Sequence, residues 1–222
     1  MISIAIDGPS GAGKSTIARI AATKLGYIYV DTGALYRAIG LAVHRAKIDC
    51  LDEQALAQLL SVTQLSLVYR EGVQRVLLNG EDVSEEIRLP EMSMAASQVS
   101  AIAAVREFLF DLQQNMAREN NVVMDGRDIG TVVLPCANVK IFLTASPEDR
   151  ASRRLDELLS KGMKAEYEQV LAEMIQRDYQ DANREVAPLC QAPDAILLDT
   201  TGNELEQSVE LVLKTIKDCG IE

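Results

Sequence analysis

The chain has 222 residues, 48% of them hydrophobic, and carries 33 acidic against 22 basic side chains for a formal charge of −11. That length fits one domain, or one domain with an insertion, and is enough to bury a substantial core. The acidic balance argues against general affinity for nucleic acid polymers or anionic membranes, which calls for a basic face, and the absence of Trp disfavours base stacking on single strands.

Residues 2–6, Ile-Ser-Ile-Ala-Ile, are a short apolar, β-branched run and predict a buried strand of a parallel sheet. The run leads into Gly8-Pro9-Ser10-Gly11-Ala12-Gly13-Lys14-Ser15-Thr16, which holds the phosphate-loop pattern G-x-x-x-x-G-K-S, and then into a helical stretch over 15–25. Strand, glycine-rich turn and helix come in the order that pattern requires. Gly8, Gly11 and Gly13 free the backbone to bring its N–H groups close to phosphate oxygens. The helix start adds unpaired N–H groups and the positive end of its dipole. Lys14 supplies an ammonium for the β- and γ-phosphates, and the Ser15 hydroxyl suits Mg²⁺. The loop predicts a nucleoside triphosphate ligand and leaves the phosphoryl acceptor open.

A second strand is expected at 27–30, ending at Asp31-Thr32-Gly33, followed by a largely buried helix over 34–47 and another over 51–60 with Asp52 as its N-cap. Two β-rich runs at 64–70 and 73–79, separated by Glu71-Gly72, then predict an antiparallel hairpin, with a second turn at Asn79-Gly80. A hairpin inside a strand–helix alternation reads as an insertion at 63–91, leaving 1–62 and 92–222 as the core. Residues 90–120 are helical with a break near 100–103. Strands follow at 122–124, 139–143 and 195–198, interleaved with helices at 146–161, 165–183 and 204–217. Ser146-Pro147 marks one start by its cap and its proline. Five core strands separated by helices predict an α/β fold with a doubly wound parallel sheet. Cys50, Cys136, Cys190 and Cys219 are scattered without a C-x-x-C pair and read as reduced thiols. No signal-like segment or membrane-length apolar run is evident, so the expected setting is the cytoplasm.

In open parallel sheets, ligands bind beyond the carboxyl ends of the strands. Asp7, Asp31-Thr32-Gly33 and Asp125-Gly126-Arg127-Asp128 all fall at such ends, and Arg37 lies one helical turn past Gly33. Arg177, Asp181 and Arg184, spaced i, i+4, i+7, are expected on one face of a helix. Arg150, Arg153 and Arg154 cluster near the start of an earlier helix. Either cluster alone would read as a solvated face with weak ion pairs. Two of them in an acidic chain with a triphosphate loop point instead to neutralising charge during phosphoryl transfer, which guanidinium forks do well.

The phosphate loop joined to Asp31-Thr32-Gly33-Ala34-Leu35-Tyr36-Arg37 resembles the bacterial cytidylate kinase family. So do Ser97-Gln98-Val99, Val105-Arg106-Glu107, Asp125-Gly126-Arg127-Asp128-Ile129-Gly130-Thr131 and the segment from Asn183-Arg184 to Pro188-Leu189. The likeness spans essentially the whole chain, including the hairpin, which is similar to that family's nucleoside monophosphate-binding subdomain. It implies that residues 8–16 bind the ATP phosphates, with Ser15 and Asp125 toward Mg²⁺. Thr32 with Arg37, and Arg127 with Arg184, would serve the acceptor and its phosphate. Ser97, Arg106 and Asp128 would read cytosine, and Arg177 and Asp181 would stand near the ribose. Arg153 and Arg154 would reach ATP from a mobile lid at about 150–165. The implied catalytic set is Lys14, Arg127, Arg154 and Arg184, the substrates are CMP and dCMP, and the protein is expected to act as a monomer.

Residue chemistry supports such a base reader independently. Cytosine offers an amino donor to a carboxylate such as Asp128 and acceptors to Arg106 and Ser97, whereas uracil reverses the pattern. Each mismatched buried group costs about 1–3 kcal/mol. The alternatives left open are another nucleoside monophosphate or small-molecule kinase with the same loop, and a nucleotide-dependent switch. The chain lacks the Asn-Lys-x-Asp guanine-reading segment and the Asp-Glu strand ending of hydrolytic ATPases.

Overall fold

The computed structural model describes residues 1–70 and 73–221. In chain order the elements are β1 (Ser3–Asp7), α1 (Lys14–Leu25), β2 (Ile28–Asp31), α2 (Thr32–Ala46) and α3 (Glu53–Val62). Next come β3 (Leu65–Arg70), β4 (Val73–Leu78), β5 (Glu81–Asp82), a short helical turn Glu86–Arg88, α4 (Pro90–Ser100) and α5 (Ala103–Glu119). The chain ends with β6 (Val122–Gly126), a wide helical turn Ile129–Val133, β7 (Val139–Thr144), α6 (Pro147–Ser160), α7 (Tyr167–Asn183), β8 (Ile196–Asp199) and α8 (Leu205–Asp218). Two compact units emerge: Met1–Tyr29 with Asn120–Glu222, and Val30–Glu119.

The first unit is built on a five-stranded sheet in the order β2-β6-β1-β7-β8. β1 is central and runs parallel to β6 on one side and β7 on the other. Its alternation of Ile4 and Ile6 with Ala5 leaves nothing exposed, because both faces of a central strand are covered. Ile17, Ala18 and Ala21 of α1 pack with Val209, Val212 and Ile216 of α8 into the same apolar cluster as Ile4, Ile6, Val123, Ile141 and Leu143. Asn121 and Asn138 accept from the N–H groups of Ile2 and Ser3 at 2.8 and 2.9 Å, which satisfies the incoming edge of β1. The register places Asp7 beside Gly126 and Phe142, so β1 and β6 end level while β7 runs two residues further to Thr144.

The second unit centres on α2, a helix buried on nearly all sides. One stripe, Leu35, Ile39 and Val43, packs with Leu56, Leu60, Val99, Val105 and Leu109. The other, Ala34, Ala38, Leu41 and Ala42, packs with Val76, Leu78, Val83, Ile87 and Met92. A Cβ on Gly40 would stand 2.9 Å from the Ala95 Cβ, so only glycine lets α2 and α4 approach this closely. β3, β4 and β5 form an antiparallel sheet. The β3–β4 turn expected at Glu71-Gly72 lies outside the described residues. Asn79 and Gly80, at φ 51° and 84°, make the tight β4–β5 turn. Arg45, at the end of α2, forks onto Glu81 at 2.7 Å and pairs with Glu86 at 2.5 Å, tying the sheet to the helix. Within this unit the segment 63–91 packs through Val76, Leu78, Val83 and Ile87 on α2 and on Met92 of α4.

Candidate active site

The phosphate loop follows from backbone constraints. Gly8 sits at φ 148°, and a Cβ there would fall 1.9 Å from the Leu143 carbonyl oxygen, so the loop leaves β1 pressed against the backbone of β7. Gly13, at φ 81°, turns the chain into α1, and among the described residues no side chain caps that helix start. An uncapped helix start of this kind is an anion site. The Lys14 ammonium is buried and donates to the Pro9 carbonyl at 2.6 Å. Thr16, two residues further on, is partly covered, and Ala12 is buried.

Ser15 donates to Asp125 Oδ2 at 2.8 Å, and the Tyr29 hydroxyl donates to Asp125 Oδ1 at 2.8 Å. Tyr29, which the sequence does not single out, thus fixes the carboxylate from behind. A hydroxyl and a carboxylate are hard oxygen donors and fit Mg²⁺, an ion that keeps several waters and takes the rest of its shell from substrate phosphates.

Two arginines of the same unit are held by carboxylates. Arg127 Nε donates to Asp181 at 2.9 Å, and Arg184 pairs with Asp128 at 3.4 Å in a nearly sealed setting. Burial first, then the nearby Arg127, hold the Lys14 pKa well below the usual lysine value, with Arg177 adding to the effect. Burial pushes the Asp181 carboxyl up, but Arg127, Arg177 and Arg184 overcome it and leave the carboxyl below its usual range. Arg127 and Arg177 act on the charge of Lys14, and a set of cations of this kind suits a polyanion. The i, i+7 spacing predicts Arg184 on the same helix face as Arg177 and Asp181, but α7 ends at Asn183 and Arg184 is extended at φ −67°, ψ 145°, outside the helix. Its Nε is held instead by the Ala187 carbonyl at 2.7 Å.

Arg150, Arg153 and Arg154 do not form one cluster. Arg150 is 3% exposed and donates to the carbonyls of Ala145 at 2.8 Å and Ser10 at 2.9 Å while pairing with Asp178 at 2.7 Å. It fastens the phosphate loop to α7, a role that sequence spacing misses because Ser10 is 140 positions away. Arg153 binds the Thr200 carbonyl at 2.6 Å and Asp149 at 2.5 Å, and Arg154 pairs with Glu157 at 2.7 Å. Arg150→Met is expected to cost about 3–5 kcal/mol by leaving Asp178 without this buried partner, read as a lower urea midpoint with an unchanged m-value.

Within the second unit, Asp31 caps α2 by accepting from Ala34 N–H at 2.9 Å, and it also holds Arg37 at 2.9 Å. The buried Arg37 Nε has no partner among the described residues, leaving a donor for an incoming anion. Gln74 of β4 accepts from the Asp31 N–H at 3.0 Å, so the inserted sheet braces the segment carrying Arg37. Thr32 is buried in the first turn of α2. Arg106 is also buried, donates to the Ser100 carbonyl at 3.2 Å and lies over the Tyr36 ring at 5.6 Å. Ser97 is partly covered on α4, and its carbonyl accepts from the Ser100 hydroxyl.

A glycine-rich loop at the carboxyl edge of a parallel sheet, with its lysine, a serine–aspartate pair and nearby arginines, defines a P-loop kinase. The family model described as Cytidylate kinase matches residues 4–218. The cytidylate kinase of Caldicellulosiruptor saccharolyticus is 52% identical over 213 residues, covering 96% of this chain and 94% of that protein. The cytidylate kinase of Enterococcus faecalis is 49% identical over 221 residues, covering 100% and 98%. A solved structure of an uncharacterized protein from Eubacterium ventriosum shares the fold, with a TM-score of 0.52 at 12% identity over 98% of this chain and 99% of that one. The chain belongs to the cytidylate kinase family.

Proposed function

We propose that the chain transfers the γ-phosphoryl group of ATP to CMP, and to dCMP, giving ADP and the corresponding diphosphate. The observation that carries this reading is the uncapped phosphate loop, with the Lys14 ammonium buried against the Pro9 carbonyl and Ser15 bonded to Asp125. The relatives, about half identical over nearly the full length, support it.

The acceptor's phosphate oxygen is already ionised at neutral pH, so no general base is required. It attacks the γ-phosphorus in line, and the ADP oxygen leaves. Lys14 and the backbone N–H groups of residues 8–16 hold the donor phosphates. Arg154 turns from Glu157 to the transferring group, and Arg153 serves ATP. Arg37, Arg127 and Arg184 hold the acceptor phosphate, neutralising charge that would otherwise keep two anions apart. Mg²⁺, held through Ser15 and by water oriented on Asp125, would supply further charge neutralisation on the β- and γ-phosphates. Asp128 accepts from the cytosine amino group, while Ser97 and Arg106 donate to its ring acceptors. Thr32, Arg177 and Asp181 position the rest of the acceptor, the last two at the ribose. The reading extends to the segment 63–91 as the monophosphate-binding subdomain and about 150–165 as the lid. It also takes the protein to be a cytoplasmic monomer. No helix among the described residues is long and apolar enough to cross a membrane.

An ADP-release assay with CMP, dCMP, UMP, AMP and shikimate as acceptors tests the reading. CMP and dCMP are expected to be preferred over the others by orders of magnitude. Equal rates with all five, or ADP release indifferent to any acceptor, would overturn it.

A further inference from the structure

Asp7 ends β1 immediately before the phosphate loop, and both of its carboxylate oxygens are taken up by backbone amides outside that loop. Oδ1 accepts from the Ile129 N–H at 2.8 Å and Oδ2 from the Gly130 N–H at 2.7 Å, with the residue only 5% exposed. Those two amides open the wide turn Ile129–Val133, directly after Arg127 and Asp128. The same turn is held at its start by the Asp128 carbonyl, which accepts from the N–H groups of Val132 and Val133 at 2.9 and 3.2 Å. The fit is close on the other side too. A Cβ on Gly130 would stand 3.3 Å from Asp7 Oδ2 and 3.2 Å from Lys140 Cδ, so residue 130 leaves just enough room for the carboxylate.

This arrangement is costly, which bears on its purpose. Burial is the largest influence on the Asp7 carboxyl and pushes it up to about 6, with Asp128 adding repulsion, against the pull of the two amides and of Lys14. A neutral side chain would avoid that cost if β1 needed only a strand ending here. A carboxylate has one property a neutral group lacks: it accepts at both oxygens and so satisfies two adjacent amides at once.

We infer that Asp7 is a positioning residue for the acceptor: by gripping the amides of Ile129 and Gly130 it sets where Arg127 and Asp128 point, and so helps set the preference for cytosine over uracil. The inference rests on the proposed cytidylate kinase activity. Asp7 touches neither nucleotide, and its effect passes through the backbone of the turn.

The test is the ratio of kcat/KM for CMP to that for UMP in wild type, Asp7→Asn and Gly130→Ala. Asp7→Asn keeps the shape but puts an NH2 group against one of the two N–H donors, forcing the turn to shift. A displacement of this kind in a positioning element is expected to lower the ratio about tenfold, while the KM for ATP stays near wild type. Gly130→Ala, which crowds the carboxylate without removing it, should shift the ratio in the same direction and decides the matter if Asp7→Asn does not fold. A general structural role would lower both acceptors alike and leave the ratio at the wild-type value; that outcome overturns the inference while the cytidylate kinase reading stands. A wild-type protein with no preference for CMP overturns both.

Discussion

Lys14→Met is expected to lower kcat by about a thousandfold or more without destabilising the protein. Lys14 belongs to the phosphate loop itself, its ammonium fixed by its bond to the Pro9 carbonyl at 2.6 Å. Its ammonium is held in a buried site where desolvation and Arg127 both disfavour the charge. The cost of that placement is borne by the unliganded protein and recovered only when phosphate charge arrives beside it. Methionine fills a similar volume without charge, so the apo protein should be as stable as wild type or somewhat more so. A thermal melt and an ADP-release assay on the same preparation separate the two effects. Loss of stability in parallel with activity would mean that Lys14 acts mainly as a strut for the loop.

Arg184→Ala is the second large effect, and here stability and activity should fall together. The guanidinium is sealed between the Ala187 carbonyl and Asp128, with side-chain exposures of 7% for Arg184 and 5% for Asp128. Removing one member of a buried pair leaves the other uncompensated, at a cost of about 3–5 kcal/mol. Loss of the charge that we propose to hold the acceptor phosphate should lower kcat by about 10²–10³-fold. Arg184→Lys distinguishes the roles. It keeps the charge and should recover much of the stability measured in urea, but it cannot reproduce the planar fork and should recover little of the turnover. Unchanged turnover at saturating CMP in Arg184→Ala would make Arg184 a structural partner of Asp128 and nothing more.

Much of the first unit can be read directly from the chain. The apolar run at 2–6, the glycine pattern and the helix start at Lys14 depend on neighbours within about one turn of each other, and local chemistry is enough to place them. The same holds for the caps at Asp52 and Ser146, which accept from Ala55 and Asp149 as their spacing predicts. The turn Ile129–Val133 was not legible, because Ile-Gly-Thr-Val-Val carries strand-forming side chains and bends only where the Asp7 carboxylate and the Asp128 carbonyl collect its amides. Arg150 misled for a similar reason. Its spacing from Arg153 and Arg154 suggested one charged face, whereas its guanidinium is spent on Ser10, Ala145 and Asp178.

The sequence by itself determined the order of the elements and the presence of a phosphate loop, since that loop is a continuous stretch whose chemistry is complete within nine residues. It also determined the residue types available to the proposed charge neutralisation and base reading. Only the tertiary structure decided which carboxylate holds which cation: Asp181 for Arg127, Asp128 for Arg184, Asp178 for Arg150, and Tyr29 behind Asp125. Most of these partners lie tens of residues or more apart. Ion pairs and hydrogen bonds depend on distance in space, and chain spacing carries that information only along a single helix or strand.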